Sequence, residues 1–320
     1  NNNKMTRYLL LILCVISAFF SNAQQQILFD QYFINDVIYN PAISGSKTYN
    51  PLVIQTRQQW AGFDDAPFST SISYHQAIKY NTAIGGFLNV ENSYPSKQLN
   101  FQLNYAYHIP LNSNNTYISF GLGPKLMLYS LNFNREDLPD LNDPAFSFNE
   151  HNEMLADFSS GLYLYNEKFS LGFSALNILQ SSFNGEVFTN SLNQSVNNSF
   201  GENIEVRHFY FTSSFRGRII NNDWEVEPYL QISSAENQTS LIRFSSRIIF
   251  LKDNWLSFGL GNNGLISSGI GFKANNIYLG YSYGQQLSGE IVRYNYGSHE
   301  LSLTFKLPSY NQKERTSFWY

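Results

Sequence analysis

The chain has 320 residues, of which 43% are hydrophobic and 14% are charged, and its formal net charge is −4. This length fits two ordinary globular domains or one large all-β domain, and a mean hydropathy of −0.28 is too polar for a bundle of membrane helices. A nucleic-acid partner is disfavoured because it would require a clustered basic surface. The many aromatic residues (27 Phe and 22 Tyr) and the few charges are typical of a transmembrane β-barrel, which is apolar towards lipid and polar inside.

The first residues are typical of a secretory signal. Basic residues precede an apolar run over residues 8–20, and the small residues Ser21 and Ala23 predict cleavage after Ala23. The run is shorter than the roughly 20 residues that a membrane-spanning helix needs, although an uncleaved anchor helix is the alternative. We therefore predict a signal peptide over residues 1–23 and an exported protein. Cys14 lies inside this peptide, which excludes a thiol nucleophile or thiolate metal site in the mature chain.

The segment that follows the signal, residues 24–50, shows little alternation of apolar and polar residues. Its Asn40-Pro41 pair favours a turn. Its aromatic residues, Tyr32 and Tyr39 among them, argue against pure disorder, which is poor in such side chains. We expect this segment to fold against the periplasmic mouth of a barrel or to enter the lumen like a plug. A loose leader is the alternative.

From residue 51 onward, apolar and polar residues alternate in stretches typical of barrel strands. In residues 98–107 every second residue is Leu, Phe or Tyr, while most of the others carry amides; residues 243–250 and 300–307 behave in a similar way. Successive side chains of a strand point to opposite faces, so one face is apolar and the other polar. The predicted strands are, approximately, residues 51–59, 67–76, 81–91, 97–108, 116–131, 154–165, 168–178, 204–217, 223–234, 239–250, 254–262, 264–273, 276–285 and 297–307.

The connections between these strands alternate in length from the second strand onward. The short ones include residues 77–80, 166–167, 221–222, 251–253 and 274–275, and the long ones are residues 132–153, 179–203 and 286–296. Outer-membrane barrels have short periplasmic turns, longer external loops and an even number of strands, which would place both chain ends in the periplasm. A soluble β-sandwich or propeller is the competing interpretation, but we find no blade-like repeat.

The sequence therefore predicts an all-β protein of the bacterial outer membrane. Residues 51–307 would form a transmembrane antiparallel β-barrel of about fourteen strands. The short N-terminal segment over residues 24–50 would be periplasmic or plug-like, and a tail over residues 308–320 would follow the last strand.

Four short segments carry a more specific signal. They are residues 30–42, with Asp30-Gln31-Tyr32 and Asn40-Pro41-Ala42; residues 57–67, with Arg57-Gln58-Gln59-Trp60-Ala61-Gly62-Phe63; residues 171–179, ending Leu176-Asn177-Ile178-Leu179; and residues 294–300, with Gly297-Ser298-His299-Glu300. In this order they resemble motifs of the PorP/SprF family of outer-membrane proteins in type IX secretion and gliding motility. The matching residues, which are also the candidates for partner binding, are Asn40, Pro41, Arg57, Gln59, Trp60, Gly62, Phe63, Pro67, Asn177, Gly297, Ser298, His299 and Glu300.

The resemblance implies a non-enzymatic component of type IX secretion or gliding. Its partners would be other secretion components, such as periplasmic ring proteins or lipoproteins, or the C-terminal domain of a secreted adhesin, besides outer-membrane lipid. Trp60 and Phe63 could serve partner binding or the aromatic girdle at the membrane interface. The alternative function is a passive or fatty-acid-type outer-membrane transporter.

Catalytic, metal and cofactor sites have little support in the sequence. The five histidines are scattered without metal-ligand spacing, and His299 and Glu300, as neighbours in a strand, would face opposite sides. An outer-membrane lipase remains an open alternative. Acidic residues over 137–143 could hold Ca²⁺, but a solvated loop is the simpler interpretation. Charged residues at predicted inward positions, which suggest salt bridges in the lumen, are Asp157, Glu225, Glu227, Arg243, Arg247, Lys273, Glu300 and Lys306.

Overall fold

The computed structural model describes residues 28–78, 81–111, 115–132, 151–181, 205–220, 224–236, 238–251, 253–287 and 295–309. The predicted signal peptide, the acidic stretch over residues 137–143 and most of the predicted tail lie outside these residues. Across the described part of the chain, no helix is long and apolar enough to span a bilayer. The structure there is nearly all β.

Fifteen β-segments form one sheet. They are β1 (Asn50–Gln58), β2 (Phe68–Ala77), β3 (Thr82–Ser93), β4 (Ser96–Pro110), β5 (Tyr117–Leu131), β6 (His151–Tyr165), β7 (Phe169–Leu176), β8 (His208–Phe215), β9 (Gly217–Ile220), β10 (Trp224–Ala235), β11 (Leu241–Phe250), β12 (Asn254–Gly261), β13 (Leu265–Ala274), β14 (Ile277–Gln286) and β15 (Ser298–Leu307). Two single-turn 3₁₀ helices, Asp36–Ile38 and Pro41–Ile43, precede them.

The sheet closes on itself as an antiparallel barrel. Each segment pairs with its neighbours, β15 pairs with β1, and β10 pairs with β11, so the ring has no open edge. Because β8 and β9 both pair with β10 and follow one another, they count as one barrel strand, and the barrel has 14 strands. The predicted fold class is confirmed.

One predicted strand, residues 204–217, differs from the structure. It starts later and is interrupted at Arg216, between β8 and β9. On β10, Tyr229 pairs with Ser214 and Val226 with Gly217, so Pro228 lies opposite the interruption. Proline has no N–H to donate to a neighbouring strand, which explains why the ladder breaks here.

Side chains alternate between the two faces of the barrel wall as predicted. In β4, Gln102 and Asn104 are buried inside the ring, whereas Phe101, Leu103 and Tyr105 are exposed on the outside. The same alternation carries charged groups inward. Glu227 and Arg247, for example, face each other across β10 and β11 and form a buried ion pair.

The two ends of the barrel differ. At the "turn end" lie the start of β1, the end of β15 and short connections: residues 78–81, 111–116, 166–168, 221–223, 251–253 and 275–276. At the "loop end" lie the long connections 132–150 and 177–207 and the intermediate ones 59–67 and 287–297, with short ones at 94–95, 236–240 and 262–264. The predicted alternation of short turns with longer loops holds, apart from these short connections at the loop end.

The interior of the ring is occupied by residues 28–49, which we call the inner segment. From residue 29 to residue 47 every residue is buried except Ile34, which is partly buried. Leu28 lies at the loop end, where Arg57 donates to its carbonyl oxygen, and the segment reaches β1 at the turn end. The prediction that both chain ends are periplasmic concerns residues outside the described part of the chain and stays untested. Leu28, the first described residue, and the end of β15 lie at opposite ends of the barrel. An even strand count cannot reveal an additional pass of the chain through the lumen.

The wall carries glycines, which have no side chain, where the inner segment comes closest. A Cβ atom at Gly121 would collide with the backbone of Ala42, and one at Gly161 would collide with the side-chain oxygen of Asn40. Asn40 in turn donates to the carbonyl oxygen of Leu162 at 3.0 Å. The Asn40-Pro41-Ala42 turn therefore lies directly on the backbone of β5 and β6.

Replacing Gly121 with Ala tests this contact. We expect the added methyl group to displace Ala42 and to lower the free energy of unfolding by about 1–3 kcal/mol, the usual cost of overpacking. The measurement is urea unfolding of the purified protein in lipid, followed by tryptophan fluorescence. Gly217→Ala is the control, because there the nearest group is the flexible Phe215 ring at 3.1 Å. Equal stability of the two variants would contradict the contact.

Candidate functional site

Two of the four family motifs meet at the loop end of β1 and β15. Arg57 pairs with Glu300 across these strands, and Gln58 pairs with His299. Beyond the strands, the Ala61 N–H donates to the Gly297 carbonyl at 2.8 Å, and the Tyr296 N–H donates to the Ala61 carbonyl at 2.7 Å. The sequence separates these motifs by more than 200 residues, but the closure of the barrel makes them one structure. We call it the rim (residues 59–67 and 295–298).

The backbone of the rim is held in an unusual conformation. Trp60 has a φ of 50° and Gly297 a φ of 82°, and a left-handed φ is uncommon for any residue other than glycine. Gly62, at φ 101°, lies against the ring of Tyr296, which a Cβ atom would meet at 2.5 Å. Such strain persists where surrounding contacts enforce it and is frequent at functional sites.

Exposed aromatic side chains mark the outer surface of the rim. Phe63 is 40% exposed and Tyr296 is 75% exposed. The acidic residues Asp64 and Asp65 lie beside them and are also exposed. An exposed apolar patch bordered by polar groups is typical of an interaction surface. The rim is thus an exposed aromatic surface on a backbone of fixed conformation.

A network of buried charges lies beneath the rim. Arg57 donates to the Asp30 carboxylate at 3.0 Å. Glu300 accepts the backbone N–H of Asp30 at 2.6 Å and that of Gln31 at 2.9 Å, and it also accepts the Gln55 side-chain amide at 2.6 Å. Buried charges are stable only when paired and hydrogen-bonded. This network therefore fixes the upper part of the inner segment to β1 and β15.

A cavity of about 420 Å³ opens between the rim and the opposite wall. Its lining combines polar residues with the apolar residues Leu28, Trp60, Pro67, Leu241 and Leu265. The polar members of the lining include Arg57, Gln59, Ser69, Glu91, Arg243, Asn263, Gln286, Asn295 and Ser298. Arg243 is 3% exposed, donates to the Phe29 carbonyl at 2.8 Å, and stacks at 4.4 Å over the Tyr32 ring. The cavity belongs to the mouth of the barrel and ends on the inner segment.

His299 and Glu300 face opposite sides of the wall, as expected for strand neighbours. The His299 ring lies on the outer surface, where its Nδ1 atom is 2.8 Å from the Tyr281 hydroxyl. Among the described residues, no group of three His, Cys, Asp or Glu side chains is arranged to hold a metal ion. The outward histidine lies at the loop end of an otherwise apolar face, among the rings of Tyr281 and Tyr283.

Asn177 lies on another part of the wall, at the start of the long connection 177–207. It is buried, has a φ of 56°, and accepts a hydrogen bond from the Lys125 ammonium at 2.8 Å. The same ammonium lies 3.6 Å from Glu205, at the other end of that connection. Burial raises the pKa of the Glu205 carboxyl, and the charge of Lys125 opposes that rise. Lys125 thus holds both ends of the long connection together.

The turn end has a different, strongly charged character. A cavity of about 70 Å³ there is lined by residues that include Lys47, Arg216, Arg247, Asp253 and Lys306. Burial acts to raise the pKa of Asp253, but hydrogen bonds from Lys273 and Tyr278 outweigh it, so this pKa lies below its ordinary value. Most of these charges are paired with residues of opposite charge: Lys47 with Asp36, Arg216 with Glu225, Arg247 with Glu227 and Asp253 with Lys273.

The predicted site residues therefore fall into four places. The rim and the network beneath it bring together Arg57, Gln59, Trp60, Gly62, Phe63, Pro67, Gly297, Ser298 and Glu300. Asn40 and Pro41 lie inside the lumen, Asn177 lies at the base of a loop, and His299 faces outward. Sequence reasoning missed Gln55 as part of the network, although its inward position in an alternating strand was a usable signal.

The fold and the filled lumen define the class of protein. It is a membrane β-barrel of 14 antiparallel strands, of the kind found in outer membranes, and its own inner segment occupies the interior. Among solved structures, Omp33 from Acinetobacter baumannii is similar over 82% of this chain and 100% of its own, at 9% identity and a TM-score of 0.46. The toluene transporter TbuX from Ralstonia pickettii is similar over 85% of this chain and 93% of its own, at 9% identity and a TM-score of 0.48. At this identity and TM-score, neither similarity bears on what this chain does.

The family model for the type IX secretion system membrane protein PorP/SprF matches residues 21–305. The chain belongs to this family, which confirms the resemblance seen in the four motifs. It is thus a membrane component of type IX secretion, and its family is not a known class of enzymes. No curated protein matches the chain.

Replacing Glu300 with Ala tests the network beneath the rim. Three donors lose their acceptor, so we expect the free energy of unfolding to fall by roughly 3 kcal/mol, given about 1–3 kcal/mol for each buried unsatisfied group and partial relaxation. Urea unfolding in lipid measures it, together with the rate of proteolysis within the inner segment. Ser302→Ala is the graded control: its hydroxyl makes a 2.7 Å bond to Gln31, and we expect a loss of about 1 kcal/mol. A Glu300→Ala variant no less stable than Ser302→Ala would contradict this role.

Proposed function

We propose that this protein is a non-enzymatic outer-membrane component of type IX secretion that binds a polypeptide at the rim. The observation that carries the proposal is the junction of two family motifs in one exposed, conformationally fixed aromatic surface. Trp60, Phe63 and Tyr296 supply the aromatic groups that most often anchor protein interfaces. The loop end, with its long connections, would face the cell exterior and the turn end the periplasm.

Of the two kinds of partner that the family suggests, the C-terminal domain of a secreted adhesin is the one we favour for the rim. Both the rim and the long connections lie at the loop end, where cargo would be displayed. The inner segment is enclosed by the ring as far as Lys47, and only the partly buried Thr48 and Tyr49 precede β1 at the turn end. A periplasmic ring component or lipoprotein would instead have to bind the turn end, where the charged groups largely pair with one another.

Passive transport, the alternative function, is disfavoured by the filling of the lumen. Barrels of 16–18 strands leave an aqueous channel, and a barrel of this size would be expected to leave a narrower one. Here the inner segment takes that space, and two cavities beside it measure only about 60 and 70 Å³.

A double substitution at the rim tests the binding surface. We expect Phe63→Ala with Tyr296→Ala to reduce the surface level of the cargo several-fold while the barrel remains folded and abundant. The matched control, Leu111→Ala with Leu251→Ala, removes exposed apolar side chains (55% and 76% exposed) at the turn end. Quantitative proteomics of the surface and medium is the measurement. Loss of one adhesin would indicate a dedicated partner, and loss of many cargos would indicate binding of shared machinery. An unchanged secretome would refute the role of the rim.

Single-channel recording tests the filled lumen. We expect purified protein in a planar bilayer to show no steady conductance, because the inner segment blocks the path. A variant lacking residues 28–49, checked for folding by its heat-dependent migration in gels, should conduct ions. Steady conductance of the intact protein would instead support the transporter alternative.

A further inference from the structure

The inner segment follows one direction through the barrel. Its first described residue, Leu28, lines the cavity at the loop end together with Ser93 and Asn263, and its carbonyl accepts a hydrogen bond from Arg57. Ser93 ends β3 and Asn263 lies in a loop-end turn. Leu28 is therefore at the level of the mouth, above the buried network.

The next residues descend along the wall step by step. Asp30 lies against Gly284 near the loop end of β14, Asn35 bonds to Ser71 further along the wall, and Ser44 receives a hydrogen bond from His108 close to the turn end. The segment then enters β1 at Asn50, at the turn end itself. Each contact lies nearer the turn end than the one before, so the direction of the segment is fixed by contacts on several strands.

We infer that the polypeptide crosses the outer membrane once more through its own lumen, so that Leu28 and the rim lie on the same side of the membrane. The C-terminal end of β15 lies on the opposite side. This inference rests on the proposed function only for the orientation of the barrel: with the loop end facing the cell exterior, Leu28 lies at the cell-surface mouth of the barrel. It would be presented beside the loop-end cavity, within reach of a partner bound at the rim.

The reverse arrangement conflicts with the contacts of Leu28. A segment entering from the turn end would begin near Lys306 and Tyr278, which line the cavity there. Leu28 instead contacts the Arg57 side chain, and Asp30 fills a space beside Gly284, close to the loop end of β14. Reversal would break the bonds from Asp30 and Gln31 to Glu300.

Labelling of single cysteines in intact cells tests the inference. The sequence contains one cysteine, Cys14, in the predicted signal, so Cys14→Ser provides a background without thiols. Into it we place Leu28→Cys, Asn263→Cys as a loop-end reporter, or Leu251→Cys as a turn-end reporter. A maleimide that cannot cross membranes is applied before and after permeabilisation of the outer membrane. A second reporter for Leu28, an epitope inserted between Gln26 and Ile27, is read with an antibody.

We expect Leu28→Cys and the epitope to react in intact cells, like Asn263→Cys, while Leu251→Cys reacts at least ten-fold more after permeabilisation. If Leu28→Cys and the epitope behave like Leu251→Cys, the inference is overturned. If Asn263→Cys is the protected position and Leu28→Cys is protected with it, the barrel is inverted: the orientation in the proposed function then fails, whereas the crossing through the lumen stands.

Discussion

A ring of 14 strands encloses more space than its own inward side chains fill, and this structure depends on how that space is filled. The inner segment brings unpaired backbone groups and polar side chains into a site without bulk water. Each must find a partner on the wall, because a buried polar group without one costs free energy. The amide and hydroxyl groups on the inward faces, such as Gln55, Ser71 and Ser282, supply those partners.

The same constraint connects the interior with the rim. Glu300 faces inward and binds the inner segment, while its neighbour His299 faces outward and the preceding Gly297 closes the rim against Ala61. One short motif therefore contributes to the lumen, the outer surface and the mouth. The family motifs therefore lie where the inner segment, the barrel wall and the exposed rim contact one another.

Much of the wall could be predicted from the sequence, since apolar and polar residues must alternate along a strand that lies between lipid and a polar interior. Fourteen strands and most of their limits followed from that rule. The break at Arg216 was missed because its cause, Pro228, lies on the neighbouring strand and only pairing brings the two together. Within the candidate site, Arg57, Trp60 and Glu300 were found from motifs, whereas Gln55 and Arg243 gained their roles only from contact with the inner segment.

The sequence by itself determined which side chains face lipid and which face inward, because that pattern is local and repeats along each strand. It did not determine the path of residues 28–49, which have no periodicity. The partners of that segment are distant in the chain: Asp30 and Glu300 are 270 residues apart. The direction of the segment, from the loop end to the turn end, is fixed only in the closed barrel, because the hydrogen bonds that fix it form only with the completed wall.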